Sequence, residues 1–293
     1  MPTVAQWVQG ARPRTLPNAV APVLVGTGAA VGAGAIRPGY ALLALLVAVA
    51  MVIGVNYAND YSDGTRGTDD ERVGPLRLVG SGVATPDAVR TMAFAWLGLA
   101  MLAGLLLVSL SGRWWLLAVG AACVLGAWFY TGGKHPYGYL GLGEIAVFVF
   151  FGPVAVLGTA YVQSGPPGVL ALFGAVGVGM LSCSVLVANN LRDIASDSQV
   201  GKRTLAVLLE DTNTRRLYAA LVILPLVLSL IGALSSPWML LGLFAAPLAV
   251  SPLRRVLGGI TGPDLIALIG DTGKVMLAWS LGTAVGLGLA LLG

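Results

Sequence analysis

Apolar stretches long enough to cross a bilayer recur from one end of this 293-residue chain to the other. A helix needs roughly 20 mostly apolar residues to span the hydrocarbon core, and nine segments approach that length: 16–36, 40–60, 88–110, 114–131, 143–163, 168–190, 214–233, 238–253 and 274–292. Only 10% of the residues are charged. Soluble domains carry about a quarter, so a large water-facing core is excluded and an all-α membrane protein of nine transmembrane helices is predicted. Pro22, Pro153, Pro225 and Pro247 interrupt the apolar runs, as membrane helices tolerate when neighbours satisfy the freed backbone groups. The 41 glycines predict close helix contacts through small residues. Val4, Trp7 and Val8 share one side of segment 3–10, which reads as an amphipathic lead-in at the interface. Arg12 and Arg14 before the first apolar run resemble the start of a signal peptide, but the many later spans favour a retained helix.

Charge orients this chain. With the N-terminus in the cytoplasm and the C-terminus outside, all but two of the 17 basic residues fall on the inner side, the exceptions being Arg37 and Arg113. The 13 acidic residues fall there too. Acids contribute little to topology, so their bias predicts a polar working face on the cytoplasmic side. Cys123, Cys183 and the single His135 are too few for a disulfide framework or a thiolate or histidine metal site.

Two clusters carry the chemistry. Asn56, Asp60 and Asp63 close the second span at i, i+4 and i+7; Asn189, Asp193 and Asp197 close the sixth at i, i+4 and i+8. Each trio shares a helix face. Matching clusters 133 positions apart suggest a diverged duplication of helices 1–4 and 5–8 within one domain spanning 1–293. Carboxylates stacked at membrane depth repel unless a cation lies between them, and such groups are usually functional. Magnesium fits, because it takes oxygen ligands and binds through one or two carboxylates plus substrate phosphates. Arg66, Arg72 and Arg77 follow the first cluster, and Lys202 and Arg203 the second; arginine and lysine beside such a site suit phosphate. Asp69, Asp70 and Glu71 read equally as ligands or as a solvated acidic loop. The loop Tyr130–Tyr139, with Tyr130, Lys134 and Tyr137, is placed to cap the site or meet an anionic second substrate.

Together these residues resemble the UbiA superfamily of intramembrane prenyltransferases, most closely its menaquinone branch. The resemblance covers nearly the whole chain. It is carried by Ala11-Arg12-Pro13-Arg14-Thr15-Leu16, by Asn59-Asp60-Tyr61-Ser62-Asp63 with Gly67-Thr68-Asp69-Asp70, by Tyr130-Thr131-Gly132-Gly133 with Gly141-Leu142-Gly143-Glu144, and by Asn189-Asn190-Leu191-Arg192-Asp193 with Asp197 and Gly201-Lys202-Arg203-Thr204-Leu205. In two places the chain departs from its relatives. Gly67 stands where the superfamily has its third aspartate, and Glu210 stands where the branch is expected to carry glycine.

The resemblance implies nine helices around a central cavity and transfer of a polyprenyl group from its diphosphate to 1,4-dihydroxy-2-naphthoate, with loss of diphosphate and CO2. It implies catalytic roles for Asp60, Asp63, Asp193, Asp197, Lys202 and Tyr130. Mg2+ would be held by Asn56, Asp60, Asp63, Asn189, Asp193 and Asp197. Substrate contacts would come from Arg14, Asn18, Asn59, Arg66, Arg72, Lys134, Asn190 and Arg192. The expected partners are a polyprenyl diphosphate, an aromatic acid and membrane lipid, with no nucleic acid. Alternatives are 4-hydroxybenzoate or homogentisate as acceptor, or a membrane transporter, whose site would lie nearer the midplane.

Overall fold

The computed structural model describes residues 2–68 and 75–290, so Asp69, Asp70, Glu71 and Arg72 lie outside the described residues. Among the described residues the fold is entirely helical. A short helix α1 (Val4–Gly10) opens with Thr3 as its cap. Thr3 Oγ1 accepts from Gln6 N at 3.3 Å while Gln6 Oε1 accepts from Thr3 N at 2.7 Å, a reciprocal pairing that satisfies two orphan donors. The expected apolar side of α1 divides: Trp7 packs edge-on against Tyr57, whereas Val4 and Val8 are exposed.

A 3-10 turn over Pro13–Thr15 leads into α2 (Pro17–Gly32), and lead-in and helix are bent by 48°. There follow α3 (Pro38–Thr65), α4 (Pro86–Ser111), α5 (Leu116–Phe129), α6 (Gly143–Ser164), α7 (Val169–Gln199), α8 (Leu205–Gly232), α9 (Pro237–Leu257) and α10 (Asp264–Leu289). Among the described residues seven helices, α3, α4 and α6–α10, are long and apolar enough to cross a membrane alone; α2 joins them only together with its bent lead-in. The apolar α5 is shorter, at 14 residues.

Local sequence explains the irregular stretches. Pro153 has no N–H for the Val149 carbonyl, and around it α6 widens into a π-helix over Phe150–Leu157. α9 begins as 3-10 helix at Pro237–Ala245 and becomes α-helical from Ala246. Inside α8, Glu210 has φ 60° and ψ 176°, a backbone region essentially reserved for glycine. The departure noted at this position is therefore a backbone matter, a bulky residue held where the chain kinks.

α10 runs against α2, α7 and α9, and its Trp279 is a fully buried anchor of the main core. The Trp279 ring lies so close to Gly177 of α7 that no Cβ would fit there, and its Nε1 donates to Pro225 O and to Ser229 Oγ, both at 3.0 Å. A second core joins α3 and α4 through Ile53, Tyr57, Val89 and Ala93. Leu78, in the loop between them, is buried in that core. Phe94, Met101, Leu102, Leu105 and Leu106 of α4 are exposed, the pattern of a helix that faces lipid rather than water.

Candidate active site

A cavity of about 640 Å³ runs along the bundle among α2 to α7. One end is polar. Arg12 and Thr15 from the lead-in turn, Asn18 from α2, Asn56 and Asn59 from α3, Tyr130 after α5 and Asn189 from α7 line it there. The other end, reached by Ala44, Val108, Leu116 and Val162, is apolar. Helix direction accounts for this division. α3, α5 and α7 finish at the polar end, where the asparagines and Tyr130 stand, and apart from Ser182 and Cys123 the residues they present to the rest of the slot are apolar.

The carboxylates stand one or two turns beyond the asparagines and meet there. Lys202 Nζ lies 3.5 Å from Asp63 Oδ1 and 3.8 Å from Asp197 Oδ1, so a single ammonium joins the two sequence clusters. Arg77 Nη2 is 3.9 Å from Asp63 Oδ2. Tyr139 donates a short hydrogen bond from its hydroxyl to Asp63 Oδ1, and its ring is flanked by Lys202 at 4.6 Å and Arg66 at 5.7 Å. Burial first, then the Asp63 charge and hydrogen bond, hold the Tyr139 phenol above its ordinary value. It is therefore a fixed donor to that carboxylate.

Asp60 and Asp193 are held differently. Asp60 is fully buried, and its two oxygens accept from the backbone N–H groups of Leu78 and Val79 at 2.9 and 3.0 Å. It thereby pins the 75–80 loop over the end of α3. Asp193 takes a bidentate contact from Arg192 at 2.7 and 2.8 Å. The asparagines are oriented through their amide nitrogens. Asn56 Nδ2 donates to Ala11 O and Thr15 Oγ1, both at 3.0 Å, and Asn189 Nδ2 donates to Val185 O at 3.2 Å. Among the described residues no donor reaches their Oδ1 atoms, and both asparagines line the cavity.

Several predicted contacts fall elsewhere. Asn18 and Asn59 do line the cavity, and Asn59 Oδ1 accepts from Thr131 Oγ1 at 2.8 Å. Arg14 and Lys134 are exposed and do not line it. The cation that does is Arg12, whose Nη2 is buried without a hydrogen-bond partner. Arg12 has φ 54°, so the chain there is not helical and spacing alone could not choose between the two arginines. Arg66 does not point at a phosphate position; its guanidinium donates to the carbonyls of Thr131 and Gly133 and ties that loop to α3. Asn190 turns to Glu144, at 2.9 Å, and Arg192 is spent on Asp193. Arg72 lies outside the described residues. Besides Arg12, the structure adds Thr15, Tyr139 and Glu144, which sequence spacing did not single out.

The donor set can be tested for a divalent cation. Among the described residues, no three carboxyl, thiol or imidazole groups converge on one point. What converges is two carboxylates around an ammonium, with Asn56 and Asn189 about two turns back along the same helices. Such hard, incomplete oxygen ligation suits Mg2+, which keeps waters and completes its shell with substrate phosphate. The Lys202 ammonium already marks a place for positive charge.

Comparison with known proteins agrees with this geometry. The UbiA prenyltransferase family model matches residues 19–262. The chain is 59% identical to 1,4-dihydroxy-2-naphthoate octaprenyltransferase of Mycobacterium tuberculosis over 97% of each protein. It is 41% identical to the enzyme of that name from Escherichia coli, over 86% of this chain and 84% of that one. Among solved structures, a UbiA homolog from Archaeoglobus fulgidus bound to GPP and Mg2+ superposes with a TM-score of 0.66 at 13% identity, covering 95% of this chain and 99% of that one. With a family model over most of its length and near-full-length relatives of high identity, the chain belongs to the UbiA prenyltransferase family.

Proposed function

We propose that this protein transfers a polyprenyl group from polyprenyl diphosphate to 1,4-dihydroxy-2-naphthoate, releasing diphosphate and CO2 and giving demethylmenaquinone. The observation that carries the reading is the meeting of Asp63 and Asp197 around Lys202, about two turns beyond the Asn56 and Asn189 that line the polar end of a long apolar slot. A diphosphate headgroup and its greasy tail need those two environments end to end. The acceptor assignment draws on the relatives that share 59% and 41% identity with this chain.

The chemistry follows from the parts. As the allylic C–O bond breaks, its electron pair leaves with diphosphate, and the prenyl carbon becomes electron-poor. Lys202 and Arg77 supply positive charge where the leaving group gains negative charge. Mg2+, when bound by Asp63 and Asp197 with the amide oxygens of Asn56 and Asn189, would supply Lewis-acid stabilisation of that leaving group. Asp60 and Asp193 would contribute only the lone pairs their present donors leave unused. The dry walls around Phe150 and Phe151 keep water from the allylic carbon. The electron-rich ring then forms the new C–C bond, and loss of its carboxylate restores aromaticity. Arg12, beside Thr15 and Asn18, is the cation placed to hold that acid.

The same reading places this end of the bundle in the cytoplasm. It takes nine crossings, N-terminus inside and C-terminus outside, with residues 1–293 as one domain of two related halves. The basic residues support the orientation, since Arg37 and Arg113 alone would lie outside. The test is product mass after mixing purified protein, Mg2+, a polyprenyl diphosphate and the naphthoate. Asp63→Ala and Asp197→Ala should each lose at least 10²-fold in turnover, on the order expected for removed transition-state electrostatics. Undiminished product from both variants would refute the proposal.

A further inference from the structure

Lys202 joins the two carboxylate clusters, yet its own side chain does not explain why it stays between them. Lysine is a point charge on a flexible four-carbon stem. Its Nζ lies 3.5 Å from Asp63 Oδ1 and 3.8 Å from Asp197 Oδ1, beyond the roughly 2.7–2.9 Å of a charge-assisted hydrogen bond. Neither carboxylate has captured it. A free stem would let the ammonium close on one acid and abandon the other, so a third contact has to fix it.

Tyr139 supplies that contact. Its ring centroid lies 4.6 Å from Lys202 Nζ, within the about 6 Å over which a ring face attracts a cation. The residue stands in the 3-10 turn Tyr137–Leu140, which Gly141 ends at φ 76°. That turn is packed tightly against the chain leaving α5: Gly138 N donates to Tyr130 O at 2.9 Å, and a Cβ on Gly138 would stand 2.7 Å from the same oxygen. Both ends of Tyr139 are tied to the site. Its backbone carbonyl accepts at 3.0 Å from the N–H of Arg203, the residue after Lys202, and its hydroxyl donates to Asp63 Oδ1. Arg66, 5.7 Å from the same ring, donates to the carbonyls of Thr131 and Gly133. One residue of the loop after α5 therefore meets the end of α3 and the loop before α8, the segments that bring Asp63 and Lys202 together.

We propose that Tyr139 is the positioning residue for Lys202: its ring face holds the ammonium between Asp63 and Asp197 and leaves its charge for the diphosphate. A ring attracts a cation through its quadrupole and carries no net charge, whereas a third carboxylate in its place would neutralise the ammonium. Positive charge is thus kept where the leaving group gains negative charge. Tyr139 does not touch the reacting atoms; it acts through Lys202. Its two parts have separate tasks, the hydroxyl orienting Asp63 and the ring placing Lys202. This rests on the prenyl-transfer reading above.

Two substitutions separate those tasks, each made with Lys202 present and in Lys202→Met. Tyr139→Phe keeps the ring and loses the hydroxyl, while Tyr139→Leu loses both. With Lys202 present, kcat of Tyr139→Leu should lie about 10–30-fold below that of Tyr139→Phe, the size of a desolvated cation–π contact, with KM for the aromatic acceptor alike in the two. In Lys202→Met the two should be equal, since no ammonium remains to be placed. Equal kcat with Lys202 present, or a difference that persists in Lys202→Met, would make the ring a packing brace and overturn the proposal. Should Tyr139→Leu fail to fold, phenylalanines bearing one, two and three fluorines at position 139 keep the shape and weaken the ring's negative face. Their kcat should fall with each fluorine, and a flat series would overturn the proposal. Binding of inorganic pyrophosphate with Mg2+ reads the same placement without turnover, and should be weaker in Tyr139→Leu than in Tyr139→Phe. Wild-type protein that binds pyrophosphate but joins no substrates would refute prenyl transfer, while the pyrophosphate comparison still decides the role of Tyr139.

Discussion

Replacing Lys202 with methionine removes the ammonium that stands 3.5 Å from Asp63 Oδ1 and 3.8 Å from Asp197 Oδ1. The side chains involved are 11%, 6% and 13% exposed, so water screens them little. At an effective dielectric constant of about 20, each contact has a gross attraction of about 4–5 kcal/mol, much of it cancelled by desolvation. Deleting one partner of a buried pair typically costs about 3–5 kcal/mol, because the other charge is stranded. Arg77, 3.9 Å from Asp63 Oδ2, remains to offset part of this, so a net loss of about 2–3 kcal/mol is expected without magnesium. In magnesium-free detergent solution the unfolding midpoint of Lys202→Met should therefore fall by several degrees. Added Mg2+ should then raise it more than in wild type, since no ammonium competes for the space between the carboxylates. A gain of about 1.4 kcal/mol would appear as tenfold tighter binding of Mg2+ alone. Turnover should move the other way, falling about 10²-fold as the leaving group loses a counter-charge. Equal responses of the two proteins to Mg2+ would refute the claim that Lys202 occupies a cation position.

Glu210→Gly should raise the unfolding midpoint, since relief of a strained φ is worth about 1–3 kcal/mol and exceeds the about 0.5–1 kcal/mol of extra chain entropy that glycine costs; an unchanged or lower midpoint would contradict the strain at 210. Tyr139 binds its proton more tightly folded than unfolded, so its contribution to stability is complete below the unfolded value of about 10 and is lost as pH rises above it. Alkaline denaturation curves should accordingly be flatter for Tyr139→Phe above about pH 10. Gly120 lines the slot with nothing within 4 Å of where a Cβ would stand, so Gly120→Phe should leave folding intact while raising KM for long polyprenyl diphosphates more than for a ten-carbon one. Equal effects on both lengths would remove the tail from this part of the cavity.

The sequence made the membrane and the paired rims legible for simple reasons. Backbone groups in hydrocarbon must bond within their own helix, so each apolar run of bilayer length announces itself. Asn56, Asp60 and Asp63 lie on one regular helix, as do Asn189, Asp193 and Asp197, and helical spacing assigns such residues to a common face. Where the backbone leaves the helix, this reasoning had no purchase. Arg12 rather than Arg14 reaches the cavity because the turn at 12 is left-handed. Arg66 and Lys134 sit in or beside loops whose path is set by carbonyls of Thr131 and Gly133.

By itself, then, the order of residues determined which segments avoid water, where their polar ends lie and which acids share a helix face. All of these follow from solvation and a 3.6-residue period. Tertiary structure decided which acids hold protein donors and which face a cation. It put Lys202 between Asp63 and Asp197, tied Asp60 to the Leu78–Val79 backbone, and turned Asn190 to Glu144. Those pairings join residues far apart along the chain, and a charge takes its role from the neighbour that folding delivers to it.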